Sequence, residues 1–330
     1  MLHVNDLTYR LGERMLLDNA SFAVPDGARV GIVGRNGTGK TTLFRILLGE
    51  LSPESGQVGM PKGRRIGTVA QEAPGGSESL IEVVLAADTE RARLMAEAEA
   101  AEGMHRAEIE TRLTDIGAHS APARAAAILH GLGFDAKAQA RPCSSFSGGW
   151  RMRVALAAVL FSEPDLLLLD EPTNYLDIEG TLWLYDYLAR YPHTVLVISH
   201  DRDLLDTCVD HILHLERAKL TLYRGGYTSF ARQRAEKQML LQKSAAKQES
   251  ERKHLQSFVD RFRAKATKAR QAQSRLKRLE KLQPIVTITE EATLPFDLPS
   301  PEKQLSPPLI ALEGAAAGYG ESPVLDRMNL

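Results

Sequence analysis

The sequence predicts an α/β fold built on a largely parallel sheet, and three observations support this class. Across residues 1–226, short apolar runs alternate with segments of helical periodicity, as expected for strands joined by helices. A glycine-rich stretch directly follows one of these runs and precedes a helical pattern. Two further apolar runs end in acidic or histidine side chains, and parallel sheets place their chemistry at the carboxyl ends of strands.

The glycine-rich stretch matches Gly-x-x-x-x-Gly-Lys-Ser/Thr in the context that this motif requires. Arg29–Val33 has the pattern of a strand, Gly34–Thr41 is the motif, and Thr42–Leu48 has the pattern of a helix. Glycines let backbone N–H groups converge on phosphate oxygens, and a helix N-terminus favours negative charge. A glycine-rich turn that matches by chance is the alternative, and the flanking elements disfavour it.

This motif assigns roles to individual residues. We expect Lys40 to bridge the β- and γ-phosphates of a nucleotide and the Thr41 hydroxyl to ligate Mg²⁺. The full set of predicted nucleotide contacts in this loop is Gly34, Arg35, Asn36, Gly37, Thr38, Gly39, Lys40, Thr41 and Thr42.

The two other apolar runs supply candidate catalytic groups. Asp170 and Glu171 follow four leucines, so we expect Asp170 to hold Mg²⁺ through water and Glu171 to polarise the attacking water. The alternative is an acid pair that caps the next helix. His200 follows the apolar run Thr194–Ser199 and is predicted to contact the γ-phosphate, although single histidines are often structural. Asp201 either orients His200 or caps a helix.

Composition narrows the class of protein. The chain has 330 residues, 43% of them hydrophobic, which supports a substantial core. The N-terminus lacks the pattern of a secretory signal, and no apolar run approaches the 18 or so residues that span a bilayer. Cys143 and Cys208 lie far apart, which predicts buried free thiols rather than a disulfide or a zinc site. We therefore expect a cytoplasmic protein without a membrane domain.

Charge and composition divide the chain into segments. Residues 1–226 form the α/β part, with an Ala-, Glu- and Arg-rich helical subdomain at about 79–145. Residues 227–283, called the basic linker below, hold 16 Lys or Arg against 5 Asp or Glu, a balance of +11. The rest of the chain balances at −12. The linker has no proline and no glycine, and its apolar spacing predicts two helices in an antiparallel hairpin.

The C-terminal part predicts a connector and a repeat. Residues 284–308 are proline-rich and extended in pattern. Residues 309–330 contain "LEGAAAGYGESPVLDRMNL", which aligns with "VNDLTYRLGERMLLDNASF" from Val4 at a spacing of 308 residues. This weak internal repeat indicates that the chain ends just inside a second copy of its first domain.

Five motifs in order make the chain resemble the ATP-binding-cassette ATPases, a class of P-loop NTPase. Besides the phosphate loop, Ser147–Arg151 resembles their signature loop and Gln71, in "VAQE", resembles their Q-loop. Asn174–Asp177 stands where their D-loop falls, and Ser199–Arg202 is similar to their switch-histidine region. The resemblance implies that Gln71 acts in catalysis and ligates Mg²⁺. It also implies nucleotide contacts for Ser147, Gly148, Gly149 and Asp177, with the signature loop serving nucleotide held by a partner cassette.

Within that superfamily, the run "FSGGWRMRVALAAVLFSEPDLLLLDEPTNYLD" and the linker run "FRAKATKARQAQSRLKRLE" resemble the F subfamily. Such proteins carry two cassettes in one chain and resemble translation factors bound near the exit tRNA site of the ribosome. Two positions depart from the pattern. Tyr175 replaces the usual histidine, and the repeat alignment puts Leu11, with Tyr9 two residues earlier, where an aromatic side chain would stack on adenine.

The resemblance implies that ATP and Mg²⁺ are the cofactors, that a second cassette is a partner in cis, and that the linker contacts tRNA or rRNA. A solvated coiled-coil arm is the alternative for the linker, and the +11 balance disfavours it. The ATPase subunit of a transporter and a chromosome or DNA-repair ATPase are the alternatives for the whole chain. The predicted RNA contacts are Arg261, Arg263, Lys265, Lys268, Arg270, Arg275, Lys277 and Arg278.

Overall fold

The computed structural model describes residues 1–69, 74–262, 273–274, 276–277, 310–319 and 322–330. The chain forms two compact units, Met1–Ile285 and Val286–Leu330. In the described residues, no helix is both long and apolar enough to cross a membrane.

The first part of the chain forms a strand-rich layer and the phosphate loop. Its elements are β1 (Leu2–Leu11), β2 (Arg14–Val24), β3 (Arg29–Val33), α1 (Lys40–Leu47), β4 (Ser55–Gly59) and β5 (Ile66–Thr68). Strands β1, β2 and β4 form an antiparallel sheet in the order β2-β1-β4. Buried side chains of β1 and β2 pack with those of α1 in one hydrophobic core.

A helical region follows β5 in the chain. It contains α2 (Leu80–Ala86), α3 (Thr89–Ala100), α4 (Gly103–Asp115), α5 (Ala121–Gly131) and α6 (Ala136–Gln139), followed by a short 3-10 helix at Cys143–Ser145. Helix α2 begins at a capping box, in which Ser79 and Glu82 each bond the other's backbone N–H. Helices α3 and α4 bury Leu94, Ile109 and Leu113 in a small core of their own.

The next part of the chain completes the main sheet. Its elements are α7 (Gly148–Phe161), β6 (Leu166–Asp170), α8 (Ile178–Ala189), β7 (Thr194–Ile198), α9 (Arg202–Thr207), β8 (His211–Glu216), β9 (Lys219–Arg224) and α10 (Tyr227–Phe262). A six-stranded sheet runs in the order β5-β6-β7-β3-β8-β9. All its pairings are parallel except β8 with β9. The predicted α/β class with a largely parallel sheet is therefore confirmed.

The leucine run of β6 shows how the sheet separates two cores. Leu166 and Leu168 pack with α1 and the antiparallel sheet. Leu167 and Leu169 pack instead with α7, α8 and α9. Because successive strand side chains point to opposite faces, a run of four leucines fits a strand covered on both sides. Both cysteines, Cys143 and Cys208, are buried in the second core and unpaired, as predicted.

The basic linker begins with one long helix. Helix α10 runs over 36 residues, Tyr227–Phe262. Its first turns pack on the main sheet, where the Phe230 ring lies 5.1 Å from that of Tyr223 in β9. The predicted turn and second helix of the hairpin fall almost entirely outside the described residues, so the hairpin stays a prediction. The predicted connector, residues 284–308, lies wholly outside them.

In the described residues of the second unit, β10 (Ala315–Tyr319) and β11 (Ser322–Met328) form an antiparallel hairpin. When each residue number is reduced by 308, the spacing of the sequence repeat, the pairs of β10 and β11 become pairs of β1 and β2. Ala317 pairs with Leu325, as Tyr9 pairs with Leu17. The other pairs of β10 and β11 also match β1–β2 pairs after the same shift: Ala315 with Met328, Gly318 with Pro323, and Tyr319 with Ser322.

Candidate nucleotide site

Three neighbouring strands bring the predicted phosphate-site residues to one edge of the sheet. Strand β6 lies beside β7, and β7 lies beside β3, all in parallel. The phosphate loop follows β3, Asp170 ends β6, and His200 follows β7 by two residues. Parallel strands end at the same edge, so residues distant in sequence meet there.

The loop is shaped by glycine and held by Lys40. Gly39 has φ 107°, a backbone conformation that disfavours any side chain, and it is the N-cap of α1. A Cβ on Gly34 would lie 2.7 Å from the Leu215 carbonyl oxygen, so the loop needs glycine there as well. Lys40 is 8% exposed, and its Nζ donates to the carbonyl oxygens of Gly34 (2.8 Å) and Arg35 (3.2 Å). A buried ammonium group is thus positioned within the loop that would hold the phosphates.

Opposing effects act on the pKa of Lys40. Burial lowers the pKa of Lys40, and the carboxylates of Glu171 and Asp170 act against that shift. A triphosphate bound beside the ammonium group would add negative charge and favour the protonated form further.

Thr41 and Asp170 form an oxygen-rich pair at the foot of α1. The Thr41 hydroxyl donates to a carboxylate oxygen of Asp170 at 2.6 Å. Hydroxyl and carboxylate oxygens are hard donors, and Mg²⁺ prefers a few such ligands together with water and phosphate oxygens. The pair therefore fits Mg²⁺ held by Thr41 directly and by Asp170 through water. Thr41 and Asp170 would hold the ion there, and it would supply positive charge against the phosphates.

Glu171 and His200 form the second pair. Glu171 has φ 47° and ψ 56°, a left-handed conformation that costs a non-glycine residue about 1–2 kcal/mol. Its N–H donates to the carbonyl oxygen of Ile198 in β7 at 2.9 Å. One Glu171 carboxylate oxygen lies 3.4 Å from Nε2 of His200, and the other accepts from the His200 N–H at 3.3 Å. Glu171 is thus held next to His200, where it can take a proton from water.

A cavity of about 440 Å³ connects these groups, and part of its wall is not predicted from the sequence. Leu11, Arg14 and Leu16 of the β1–β2 hairpin line it, together with Ile198. The repeat alignment places Leu11 at the expected adenine position, but no motif marks Arg14 and Leu16, because they reach the cavity only through the pairing of β1 with β2. Tyr9 is half-buried and packs on the core behind the hairpin, whereas Leu11 is 65% exposed. The other lining residues are Asn36, Gly37, Gly39, Lys40, Thr41, Thr42, Asp170, Glu171 and His200.

Asp201 caps a helix. Its carboxylate accepts from the N–H groups of Asp203 (3.0 Å) and Leu204 (3.2 Å) at the start of α9, and from the Tyr185 hydroxyl. Of the two roles that the sequence left open, this geometry matches the cap.

Asp177 has a structural setting away from the cavity. Its carboxylate caps α8 by accepting from the Gly180 N–H at 2.9 Å, and it pairs with Arg153 at 2.8 Å. These two contacts, the Gly180 bond first, lower the pKa of Asp177. Arg153 is itself buried and stacks on the Trp150 ring at 4.2 Å. Asp177 is therefore not among the residues that line this cavity, and the nucleotide contact predicted for it stays a prediction.

The predicted signature loop is exposed and also lies apart from the cavity. Ser147, Gly148 and Gly149 are all exposed, and a Cβ on either glycine would meet nothing within 4 Å. Ser147 is the N-cap of α7, and its side chain makes no capping hydrogen bond. The loop therefore presents open backbone and an accessible hydroxyl at a helix N-terminus.

Several predicted residues lie outside the described part of the chain. Gln71, predicted to act in catalysis and to ligate Mg²⁺, is one of them. Among the predicted RNA contacts, only Lys277 has a described side chain, which is exposed. The backbone of Arg261 lies in α10. The remaining six stay predictions: Arg263, Lys265, Lys268, Arg270, Arg275 and Arg278.

A parallel sheet with this phosphate loop and these strand-end acids defines a P-loop NTPase domain, and the exposed Ser147–Gly149 segment is typical of the ATP-binding-cassette class. A family model described as "ABC transporter" matches residues 17–174, and a second with the same description matches residues 213–296. A solved structure titled "Structure of ATP binding subunit of ABC transporter" covers 71% of this chain and 93% of its own, at 19% identity and a TM-score of 0.52. A dimeric ATP-binding cassette bound to ADP and Pi covers 68% and 98%, at 22% identity and a TM-score of 0.50. At these identities the two structures support the fold alone.

Curated relatives narrow the family further. The chain is 43% identical to the probable ATP-binding protein YheS of Escherichia coli K12 over 334 residues, 100% of this chain and 52% of that protein. It is 40% identical to the human ATP-binding cassette sub-family F member 3, covering 98% of this chain and 46% of that protein. The ABC transporter F family member 3 of Arabidopsis thaliana is 38% identical, covering 99% and 48%. The chain belongs to the F subfamily of ATP-binding cassette proteins. It spans about half the length of these relatives.

Proposed function

We propose that this chain is the ATP-hydrolysing cassette and linker of a protein that acts on the ribosome in the cytoplasm. Nucleotide state would control the position of the basic linker, which contacts tRNA or rRNA. The observation that carries this proposal is the charge division. A linker with a balance of +11 follows directly after a nucleotide cassette, within a chain that is otherwise acidic. RNA phosphates attract such a segment through counterion release.

In the proposed reaction, the residues at the sheet edge have separate roles. Lys40 and the loop N–H groups hold the β- and γ-phosphates, and Thr41 and Asp170 hold Mg²⁺. Glu171 accepts a proton from the attacking water, and His200, 3.4 Å away, contacts the γ-phosphate. Gln71 is proposed as a further Mg²⁺ ligand and as a catalytic residue. Phosphoryl transfer depends mainly on such positioning and charge stabilisation.

The proposal includes a second cassette in cis. The exposed Ser147–Gly149 segment would complete a nucleotide site on that partner, together with Asp177. The matching register of the β10–β11 and β1–β2 hairpins supports the start of a second cassette at residues 309–330. A single cassette should therefore bind ATP and turn it over poorly.

Described side chains of the linker support an RNA-facing surface. On α10, Lys237, Lys243 and Lys247 are exposed and have no ion-pair partner among the described residues. Lys243 and Lys247 are four residues apart and so share one helix face. In a solvated helical arm, we expect acidic side chains to lie between the basic ones on such a face and to form ion pairs with them. Two lysines without such partners favour a surface that faces RNA.

Charge reversal tests the RNA contact. Replacing Arg263, Lys265, Lys268 and Arg270 by Glu should weaken ribosome binding while ATP binding is unchanged. If all four contact phosphates, the slope of log affinity against log salt should flatten by about 3, since each contact contributes about 0.7–0.9. Co-sedimentation with ribosomes at several salt concentrations measures the slope.

The matched control carries the same change in charge on the cassette. Lys62, Arg106, Lys137 and Arg217 are exposed there, and their replacement by Glu should leave the salt slope nearly unchanged. An equal loss of affinity in both variants would mean that net charge alone drives binding, and the linker contact would be rejected.

A transporter ATPase subunit is the second candidate, since the matched family models are described as "ABC transporter". The position of the basic linker disfavours it, because such subunits normally end soon after the switch histidine. The same position disfavours a chromosome or DNA-repair ATPase, in which a long coiled coil interrupts the cassette between phosphate loop and signature. Here the insertion follows the complete cassette.

A further inference from the structure

Helix α9 connects the candidate γ-phosphate residue to the root of the basic linker. His200 and Asp201 directly precede α9, and the Gly226–Thr228 segment that starts α10 packs against it. Because α9 has only six residues, about one and a half turns, its two ends move together.

The N-terminal end of α9 is tied to the nucleotide site. Asp201 caps α9 through the N–H groups of Asp203 and Leu204, and its own N–H donates to the Ser199 hydroxyl at 3.0 Å. His200, which stands between Ser199 and Asp201, is held by both carboxylate oxygens of Glu171. A change in the position of His200 on nucleotide binding is therefore passed to α9 by the adjacent backbone.

One face of α9 contacts the first residues of α10. The Arg202 guanidinium lies over the Tyr227 ring, 5.1 Å from its centre, which is a cation–π contact. One turn later, the Asp206 carboxylate accepts from the Thr228 N–H at 2.8 Å and from its hydroxyl at 2.6 Å. The sequence of α10 offers no acid in its first turn, so Asp206 supplies from α9 the negative charge that a helix N-terminus favours.

The two backbones touch at Gly226. A Cβ at this position would lie 2.6 Å from Asp206 Oδ1 and 3.0 Å from the Leu205 carbonyl oxygen. Leu205 is buried in the same core as Phe230 of α10. Its side chain also fills the space beside Gly31 of β3, where a Cβ would clash with it. Since packed interiors do not deform freely, α9 cannot shift without moving the root of α10.

We propose that Arg202 and Asp206 are positioning residues that set the direction of the linker helix according to whether nucleotide occupies the site. This inference rests on the proposed function, because it takes His200 as the group that responds to the γ-phosphate. Helix α10 has 36 residues and is about 54 Å long, so each degree of tilt at its root moves its far end by about 1 Å. Small shifts at the nucleotide are thereby enlarged along the linker.

Spin-label distances on this chain test the coupling. Both native cysteines are buried, so labels attach to engineered cysteines at the exposed positions Lys62 in the cassette and Lys247 in α10. Lys247 lies about 30 Å along the helix from its root, so a tilt of about six degrees moves it by about 3 Å. Adding Mg²⁺ and AMP-PNP, an ATP analogue that is not hydrolysed, should shift the distance by about that amount or more.

The Arg202→Ala, Asp206→Ala double variant should lose this shift while its AMP-PNP affinity stays within about twofold. The matched control is Asp203→Ala, which removes a different, exposed carboxylate from α9, and it should keep the full shift. Thr228→Val removes only the hydroxyl bond from the α10 side and should reduce the shift. Thr228→Ser keeps the hydroxyl and should keep the shift.

A full shift in the double variant, or no shift in the chain without these substitutions although AMP-PNP is bound, would overturn the coupling and leave the nucleotide site intact. Failure to bind AMP-PNP at all would instead reject the proposed nucleotide site. Because no RNA is present, neither outcome depends on the ribosome contact.

Discussion

At the scale of single residues, the candidate site depends on a few side chains in unusual environments. Lys40 is buried within the phosphate loop and bonded to backbone carbonyl oxygens there. Glu171 holds a left-handed backbone conformation that aims its carboxylate at His200. Strain of this kind persists only where the surrounding structure imposes it, as the bond between the Glu171 N–H and Ile198 does here.

Replacing Glu171 by Gln separates nucleotide binding from hydrolysis. The amide keeps the size of the side chain and cannot accept a proton from water, so hydrolysis should fall by about 10²–10⁴-fold. ATP affinity should change little, because the phosphates are held by the loop and Lys40. Phosphate release and fluorescent-nucleotide titration measure the two quantities. Unchanged hydrolysis would exclude Glu171 as the base.

At the scale of elements, the packing of α10 on the sheet includes one buried titratable group. The His214 ring of β8 lies 5.0 Å from that of Phe230 and 6.5 Å from that of Tyr223. Burial lowers the pKa of His214 below its usual 6.5, with Glu216 opposing and Arg234 assisting that shift. Glu216 and Arg234 pair at 2.8 Å and join β8 to α10.

The lowered pKa of His214 predicts a pH dependence of stability. The folded state disfavours protonation, so below about pH 6.5 the unfolded chain binds more protons and the free energy of unfolding decreases. His214→Phe, which keeps an aromatic ring and cannot titrate, should remove this part of the decrease. Urea unfolding between pH 7.5 and 5 measures it, with His130→Gln, an exposed histidine, as the control. A curve for His214→Phe that parallels the unsubstituted chain would contradict this account.

The sequence predicts those elements that have a continuous local pattern of their own. The strands β3, β6 and β7 can be identified from the sequence because apolar runs of strand length end in glycine or polar residues. The roles of Arg14 and Leu16 cannot, because a lining residue on a hairpin has no signature of its own. The contacts of Arg202 and Asp206 escape sequence reasoning for the same physical reason, since they depend on how α9 meets α10 in space.

At the scale of the whole molecule, the proposed cassette contributes one half to each of two different nucleotide sites. The phosphate loop lies in the cavity, while the exposed Ser147–Gly149 segment lies apart from it. On this proposal each half needs a partner cassette to complete it. The chain covers about half of its curated relatives, which leaves room for such a partner in the relatives themselves.

Hydrolysis by this chain should therefore depend on encounters between chains. At low concentration, the rate should be small and should rise with the square of protein concentration, since two chains must meet to complete a site. Phosphate release measured over a wide concentration range tests this. A substantial rate strictly proportional to protein concentration would mean that one cassette is sufficient.

The central claim is that nucleotide state at the cassette controls the hold of the basic linker on ribosomal RNA or tRNA. The most direct measurement is the affinity of this chain for purified ribosomes, by quantitative co-sedimentation, with Mg²⁺ and AMP-PNP and without nucleotide. The account predicts saturable binding that is at least about fivefold tighter with AMP-PNP, the size of an ordinary coupling between two sites. Equal affinity in the two states, or no co-sedimentation at low salt, would contradict it.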